Sequence, residues 1–215
     1  MSLARPALPV VIAAPSGAGK TTLARMLVDR HDDVVFSISA TTRPPRPREH
    51  DGRDYHFVDD ATFDRMIEHN DLAEWAVVHG RRYGTPRREI TSAIERGRSV
   101  VLDIDVQGAR LVRKTFTDSL LVFVLPPSAE ELARRLTGRA SEDPDERRRR
   151  LVNARRELEA VGEFDYVIVN RDLDEAYGQL EAILHAEWSR VRRIRDLERH
   201  ARELRDELDA LIRGA

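Results

Sequence analysis

The residues best placed to do chemistry stand near the start of the chain. Ala14-Pro15-Ser16-Gly17-Ala18-Gly19-Lys20-Thr21-Thr22 follows the apolar run Val10-Val11-Ile12-Ala13 and precedes Leu23, Met26 and Leu27 at helical spacing. A buried strand, a glycine-punctuated loop and a helix opening at Lys-Thr are the parts of a phosphate-binding loop. Gly17 and Gly19 can take backbone angles that strain other residues, so successive N–H groups turn inward and, with the helix N-terminus behind them, cradle a polyphosphate. Lys20 then reaches the β- and γ-phosphates, and the Thr21 hydroxyl lies where a phosphate-bound Mg²⁺ takes an oxygen ligand. The pattern ordinarily opens with glycine; here that position is Ala14, small enough to fit.

Further charged residues could join such a site. The stretch Ser39 to Arg48 carries three prolines, which forbid a helix and favour polyproline II, where about three residues per turn bring Arg43 and Arg46 to one side. Such a pair can clamp an anion or belong to a solvated linker, and the residues alone leave both open. Glu74 interrupts the apolar strand Leu72 to Val78, either as a solvent-facing side chain or as an acid turned toward a ligand. Asp103 and Asp105 close the buried-type run from Val100. Acids at the carboxyl end of such a strand sit where α/β sheets bind ligands and can support Mg²⁺ directly or through water; Asp105 also suits a helix N-cap ahead of Val106 and Ala109. Arg147 to Arg150 step around a helix by about 100° each, so few of them can face one ligand, and such a run is otherwise a solvated face.

The elements that must position these groups alternate. Strands are expected at Val34 to Ser39, Gly52 to Val58, Leu72 to Val78, Val100 to Asp105, Leu120 to Leu125 and Asp165 to Asn170. Helices are expected behind the phosphate loop, from Asp60 with Phe63, Met66 and Ile67 inward, after Asp105, and from Leu173 to Trp188. Arg81 to Pro86 reads as a turn, with Thr85 capping a helix that starts at Pro86 and is closed by Gly97. Ser128 and Glu131 form a capping box for a helix running toward Gly138; Thr137 to Glu146 is polar and poor in apolar residues, and Asp143-Pro144 caps the next helix. Alternation of strand and helix argues for an α/β fold with a parallel sheet covered by helices, and clustering of strands between Ser39 and Gly97 for one insert.

Composition narrows the function classes. A formal net charge of -2 over 215 residues leaves no general electrostatic footprint for nucleic acid. The absence of cysteine excludes disulfides, thiolate catalysis and cysteine-ligated metal. Arg5 followed by Ala7 to Ala14 imitates a signal peptide, but cleavage near Ala14 would cut the phosphate loop, and no stretch approaches membrane-spanning length. A cytoplasmic protein without membrane partners is expected.

The phosphate loop, arginine loop, Glu74, Tyr83-Gly84-Thr85, Asp103-Ile104-Asp105 and the late arginines, in that order, make the chain resemble guanylate kinase from about Pro9 to Glu187. The resemblance implies a P-loop nucleoside monophosphate kinase that phosphorylates GMP, and dGMP with it, to GDP with ATP and Mg²⁺. It divides the chain into a kinase core (1–38, 98–136 and 151–188), a GMP-binding insert (39–97), a lid (137–150) and a C-terminal helical extension (189–215). It implies that Arg43, Arg46, Tyr55 and Tyr83 hold the GMP phosphate and that Ser39, Glu74 and Thr85 read guanine. Asp103 and Asp105 fall in the family's Asp-x-Asp, with Asp105 toward the guanine side. Arg135, Arg139 and Arg150 would supply charge to the transferring phosphoryl beside Lys20 and Arg43. Arg48 departs from the family, which often has glycine there, so the shape of that loop is in question. Two rivals are weaker. A kinase of another phosphorylated acceptor such as ribose 1,5-bisphosphate has no need of Glu74 with Ser39 and Thr85, and a non-catalytic guanylate-kinase-like binding module has no need of Lys20-Thr21.

Beyond the resemblance, Ile194, Leu197, Ala201, Leu204, Leu208 and Leu211 recur at alternating three and four spacing, an a/d seam among charges. It suits either a homodimer through this helix or a face docked on the protein's own core.

Overall fold

The computed structural model describes residues 5–78, 80–137 and 144–214. The apolar run Pro9–Ala13 (β1) is fully buried because it is the central strand of a five-stranded sheet. Val34–Phe36 (β2), Ser99–Asp103 (β7), Leu120–Leu125 (β8) and Tyr166–Val169 (β9) complete it in the order β2-β7-β1-β8-β9, every neighbouring pair parallel. Strands hidden on both faces need apolar residues at consecutive positions, which is why these segments read as continuous runs. On one face Val10 and Ile12 pack with Leu23 and Leu27 of the helix Lys20–Arg30 (α1) and Leu180 and Leu184 of Leu173–Trp188 (α7). On the other, Val11 packs with Ile90 and Ala93 of Arg87–Glu95 (α3) and Val112 of Val106–Thr115 (α4).

The insert builds its own sheet. Ala40–Thr41 (β3), His56–Phe57 (β4), Leu72–Val78 (β5) and Arg81–Pro86 (β6) lie in the order β4-β3-β6-β5, with Asp60–Glu68 (α2) packed on it through Phe63. Two expectations change here. Arg81 to Pro86 is a strand rather than a turn: antiparallel pairing along β5 from Val78↔Arg81 to Leu72↔Pro86 satisfies its backbone groups, and Pro86, not Thr85, caps α3. The strand expected from Gly52 shrinks to β4 because the backbone before it is consumed by a turn in which Gly52 donates to the Tyr55 carbonyl.

Ala129–Thr137 (α5) and Pro144–Leu158 (α6) follow β8 and pack through Leu132, Leu136, Leu151 and Ala154. The capping box is half formed: Ser128 Oγ accepts the Glu131 N–H at 3.1 Å, whereas the Glu131 carboxylate turns to Arg134 and Arg135 at 2.7 Å. Leu197–Gly214 (α8) ends the chain and leaves Leu204, Leu208, Leu211 and Ile212 exposed, so it does not dock on its own core.

The phosphate loop sits between β1 and α1, with Gly17 at φ 87° and Gly19 at φ 98°. Ala14, 2% exposed, has no left-handed backbone angle, which explains why glycine is dispensable there. Asn170, at the end of β9, donates through Nδ2 to the Ala18 carbonyl at 2.8 Å and holds the loop from beneath. Replacing this buried donor strands a buried carbonyl, which costs about 1–3 kcal/mol. Asn170→Ala is therefore expected to lower unfolding free energy by that amount in urea melts and to weaken nucleotide-dependent thermal stabilisation; an unchanged melt would remove Asn170 from the loop's support.

Candidate active site

At the carboxyl ends of β1 and β7, the Asp103 carboxylate receives both the Lys20 ammonium and the Thr21 hydroxyl, one on each oxygen. Parallel pairing of Ile12 with Asp103 brings these groups together although they are far apart in sequence. Asp105, two residues on, caps α4 by accepting the Gly108 N–H at 2.8 Å. The two acids thus divide the roles that the sequence left joined.

The insert contributes a second cluster. Arg43 forms a bidentate pair with Glu49 at 2.8 and 3.0 Å, donates to the Tyr83 hydroxyl at 3.2 Å, and lies 5.2 Å over the Tyr55 ring. The Glu49 carboxylate beside it raises the guanidinium's affinity for its proton still further. Arg46 is exposed and joins through its backbone N–H, which donates to Glu49 Oε2 at 2.7 Å; the loop turns at Pro47-Arg48 instead of continuing as polyproline II. Arg48 sits at φ 76°, a backbone conformation that favours glycine. Arg43, Tyr55 and Tyr83 are therefore gathered, while Arg46 stands at their margin.

Glu74 faces this cluster from β5. It is 7% exposed, and among the described residues it has no ion-pair partner; Thr85, wholly buried behind it, donates to Oε1 at 2.7 Å. Burial pushes its carboxyl up to about 7, the Thr85 hydroxyl opposes that shift, and the nearby Asp105 charge adds to it. A Cβ on Gly108 of α4 would lie 3.0 Å from Glu74 Oε2, so glycine is what lets the helix approach.

A continuous cleft of about 950 Å³ joins the two clusters, lined by Ser39, Tyr55, Glu74 and Tyr83 on one side and by Gly17, Lys20, Thr21 and Asp103 on the other. That volume is at the upper end for a single small ligand and leaves room for two. Ala14, Ser16, Gly19, Thr22 and Asp105 also line it; Pro15 and Ala18 are buried beneath the loop, and Thr85 is screened by Glu74. At the loop's outer edge Arg150 of α6 donates to Ser16 Oγ at 3.3 Å and to the Leu136 carbonyl at 3.2 Å. Arg135 is held by Glu131, whose carboxyl is drawn down to about 2 by Arg134 and Arg135. Arg139 and the middle of the expected lid lie outside the described residues.

Comparison with known proteins decides the family. Residues 7–187 match the family model for guanylate kinase. The chain belongs to the guanylate kinase family. It is 47% identical over 206 residues to a guanylate kinase of Nitrobacter winogradskyi, covering 95% of this chain and 94% of that one. A guanylate kinase of Dechloromonas aromatica is 53% identical over 176 residues, covering 82% and 87%. The crystal structure of guanylate kinase from Anaplasma phagocytophilum superposes with a TM-score of 0.74 at 33% identity, covering 92% of this chain and 94% of that one. The family model stops short of α8, whereas a match of 206 residues in a chain of 215 runs into it.

Within this guanylate kinase fold, residues that sequence reasoning passed over also reach the site. Glu49 is the partner of Arg43; a lone acid at the end of a basic, proline-rich loop was its only signal. Glu157 and Asn153 reach the cleft from α6, and Gly108 of α4 lies against Glu74, with no motif to mark them. Glu157 accepts the Ser16 N–H, and its burial raises its carboxyl above the ordinary range.

The raised Glu74 value carries a stability consequence. With its folded value near 7 and its ordinary value 4.5, folding disfavours the ionised form, so stability is lost as pH rises between the two. Glu74→Gln is expected to be stabilising relative to the parent above pH 7, by up to about 3 kcal/mol, and to lose that advantage below pH 4.5. Urea melts across this range check it; a pH-independent difference would contradict the burial of an acid without a cation.

Proposed function

We infer that this chain transfers the γ-phosphoryl group of ATP to the phosphate of GMP, yielding ADP and GDP. The carrying observation is Glu74, a buried carboxylate without a cation, at one end of a cleft whose other end is a phosphate-binding loop. Guanine presents N1–H and an exocyclic amino group side by side, two neutral donors that one ionised carboxylate can accept together. Adenine offers a lone pair at N1 and leaves the acid unpaired, and a site built this way discriminates by roughly 10⁴ or more. The residue roles follow as part of the same proposal. Glu74 reads the base, oriented by Thr85 and flanked by Ser39 and Asp105, and Arg43 with Tyr55 and Tyr83 holds the acceptor phosphate, with Arg46 at its margin.

The loop N–H groups and Lys20 take the donor phosphates, Lys20 leaving Asp103 to do so. Arg135 and Arg150, with Arg139 from the lid, neutralise charge on the group in flight. An acceptor phosphate oxygen bonds to the γ-phosphorus as the bond to the ADP oxygen breaks; the acceptor is already ionised, so no general base is required. The Thr21 hydroxyl and Asp103 carboxylate are hard oxygen donors that suit Mg²⁺, Asp103 through water. Among the described residues no cluster of three or more His, Cys, Asp or Glu side chains could hold a metal, so the ion would arrive with the nucleotide. When bound, Mg²⁺ would supply positive charge that offsets the negative charge of the transferring phosphoryl group.

The division into core, insert 39–97, lid 137–150 and C-terminal extension belongs to this proposal, as does a place in purine nucleotide metabolism in the cytoplasm. No described helix is long and apolar enough to cross a membrane.

ADP release measured with ATP and Mg²⁺ across GMP, dGMP, AMP, CMP, UMP and ribose 1,5-bisphosphate tests the reading. Activity is expected with the guanine nucleotides, abolished by Lys20→Ala, with the preference for GMP over AMP reduced by about 10² or more in Glu74→Gln. Turnover confined to the sugar phosphate, or none at all, would overturn it. Binding of guanosine, which has no phosphate to titrate, should weaken up to about tenfold for each pH unit below 7 and lose this dependence in Glu74→Gln.

A further inference from the structure

The C-terminal helix α8 stands outside the kinase machinery and has a side that none of the described residues of the protomer covers. Its root is fixed: Arg193 donates to Glu187 at 2.7 Å and to the Asp118 carbonyl at 2.6 Å, and Glu187 is buried. Beyond that root the seam is in solvent, with Leu204 48% exposed, Leu208 58%, Leu211 69% and Ile212 73%. Five acidic side chains against four arginines on α8 argue against an anionic lipid surface as its cover.

We propose that α8 pairs with α8 of a second copy of this chain as an antiparallel two-stranded coiled coil centred between Ala201 and Leu204, making a homodimer that does not depend on the kinase reading. With Leu197, Leu204 and Leu211 at d and Ala201 and Leu208 at a, the charges flanking the seam choose the arrangement. In the antiparallel register that sets Ala201 of one copy against Leu204 of the other, Leu197 meets Leu208. The flanking positions then place Glu198 opposite Arg205 and His200 opposite Glu207, each pair occurring twice by symmetry. Shifting by one heptad sets Arg205 against Arg205 and Glu207 against Glu207. A parallel pair sets His200 against Arg205 and Glu207 against Ile212, so only the first arrangement is complementary throughout.

The helix leaves most of those charges available. Arg199 pairs internally with Glu203 at 2.9 Å, His200 lies 4.0 Å from the same carboxylate, Arg205 touches its neighbour Asp206 at 3.5 Å, and among the described residues Glu198 and Glu207 have no ion-pair partner. The contact is isologous and closes at two copies, so it builds no chain of molecules. Eighteen residues of helix span about 27 Å, a short seam that gives a weak, concentration-dependent dimer.

The chain's lack of cysteine allows a direct test on the full-length protein. Sedimentation equilibrium should show a reversible monomer–dimer equilibrium. Leu204→Glu, at a position exposed in the monomer, should raise the dissociation constant at least about a hundredfold while its ATP-dependent thermal stabilisation stays as in the parent. Glu198→Arg and Arg205→Glu should each weaken the dimer and together restore it. Under oxidation, Ala201→Cys mixed with Leu204→Cys should crosslink faster than either variant alone. A monomer at every concentration, a dimer indifferent to Leu204→Glu, or faster self-crosslinking of each single variant, as a parallel pair would give, overturns the proposal.

Discussion

Two left-handed glycines at the carboxyl end of the central strand are the constraint on which the rest of this structure depends. Gly17 and Gly19 let the chain leave β1 and enter α1 through a loop tight enough to turn its N–H groups inward. That shape is shared property of several elements. Asn170 holds it from the neighbouring edge of the sheet, and Leu136 of α5 lies where a side chain on Gly17 would have to go. Asp103 reaches it because β7 runs parallel beside β1 in a register that ends both strands at the same level. The insert departs after β2 and returns before β7, so its sheet hangs over the same end of the core, and α4, which follows β7, packs against β5.

The electrostatics of the cleft are divided in a way that suits two different kinds of ligand atom. Three of the cations around the cleft are held by acids: Lys20 by Asp103, Arg43 by Glu49, Arg135 by Glu131. On the proposed reading an incoming phosphate would exchange for those carboxylates, so these cations would not be left as isolated buried charges. At the base end Glu74 has no such partner, and its proton is held by burial. On the same reading a cation would satisfy it permanently and remove its capacity to choose, whereas neutral N–H donors would satisfy it only when the right base arrives. Glu74 and the Lys20–Asp103 pair belong to separate sheets, which meet where α4 packs against β5 at Gly108.

Much of this was legible in the residues. Fully buried parallel strands demand consecutive apolar side chains, and the loop that follows the first of them demands glycine and Lys-Thr, so the core and the phosphate site announce themselves locally. Glu74 was visible as an acid misplaced in an apolar strand, and Arg43, Tyr55 and Tyr83 through the order of their motifs. Arg81 to Pro86 misled because its polar and glycine residues imitate a turn, while pairing with β5 on one side and β3 on the other decides otherwise. Asn170, Gly108 and Glu157 carry no signal of their own, and Glu49 only that of a lone acid after a basic loop, since each matters for what another segment places next to it.

Local chemistry by itself determined the sheet's core, the phosphate loop, the family and the heptad seam of α8, because backbone permissiveness and burial are properties of a residue and its near neighbours. Tertiary structure alone decided which of Asp103 and Asp105 meets Lys20, that Thr85 stands behind Glu74 instead of capping a helix, and that the α8 seam is left uncovered by its own core. The physical reason is common to all three: a hydrogen bond or a buried surface needs two partners, and those partners are brought within reach only when the register between strands and the packing between helices have been set.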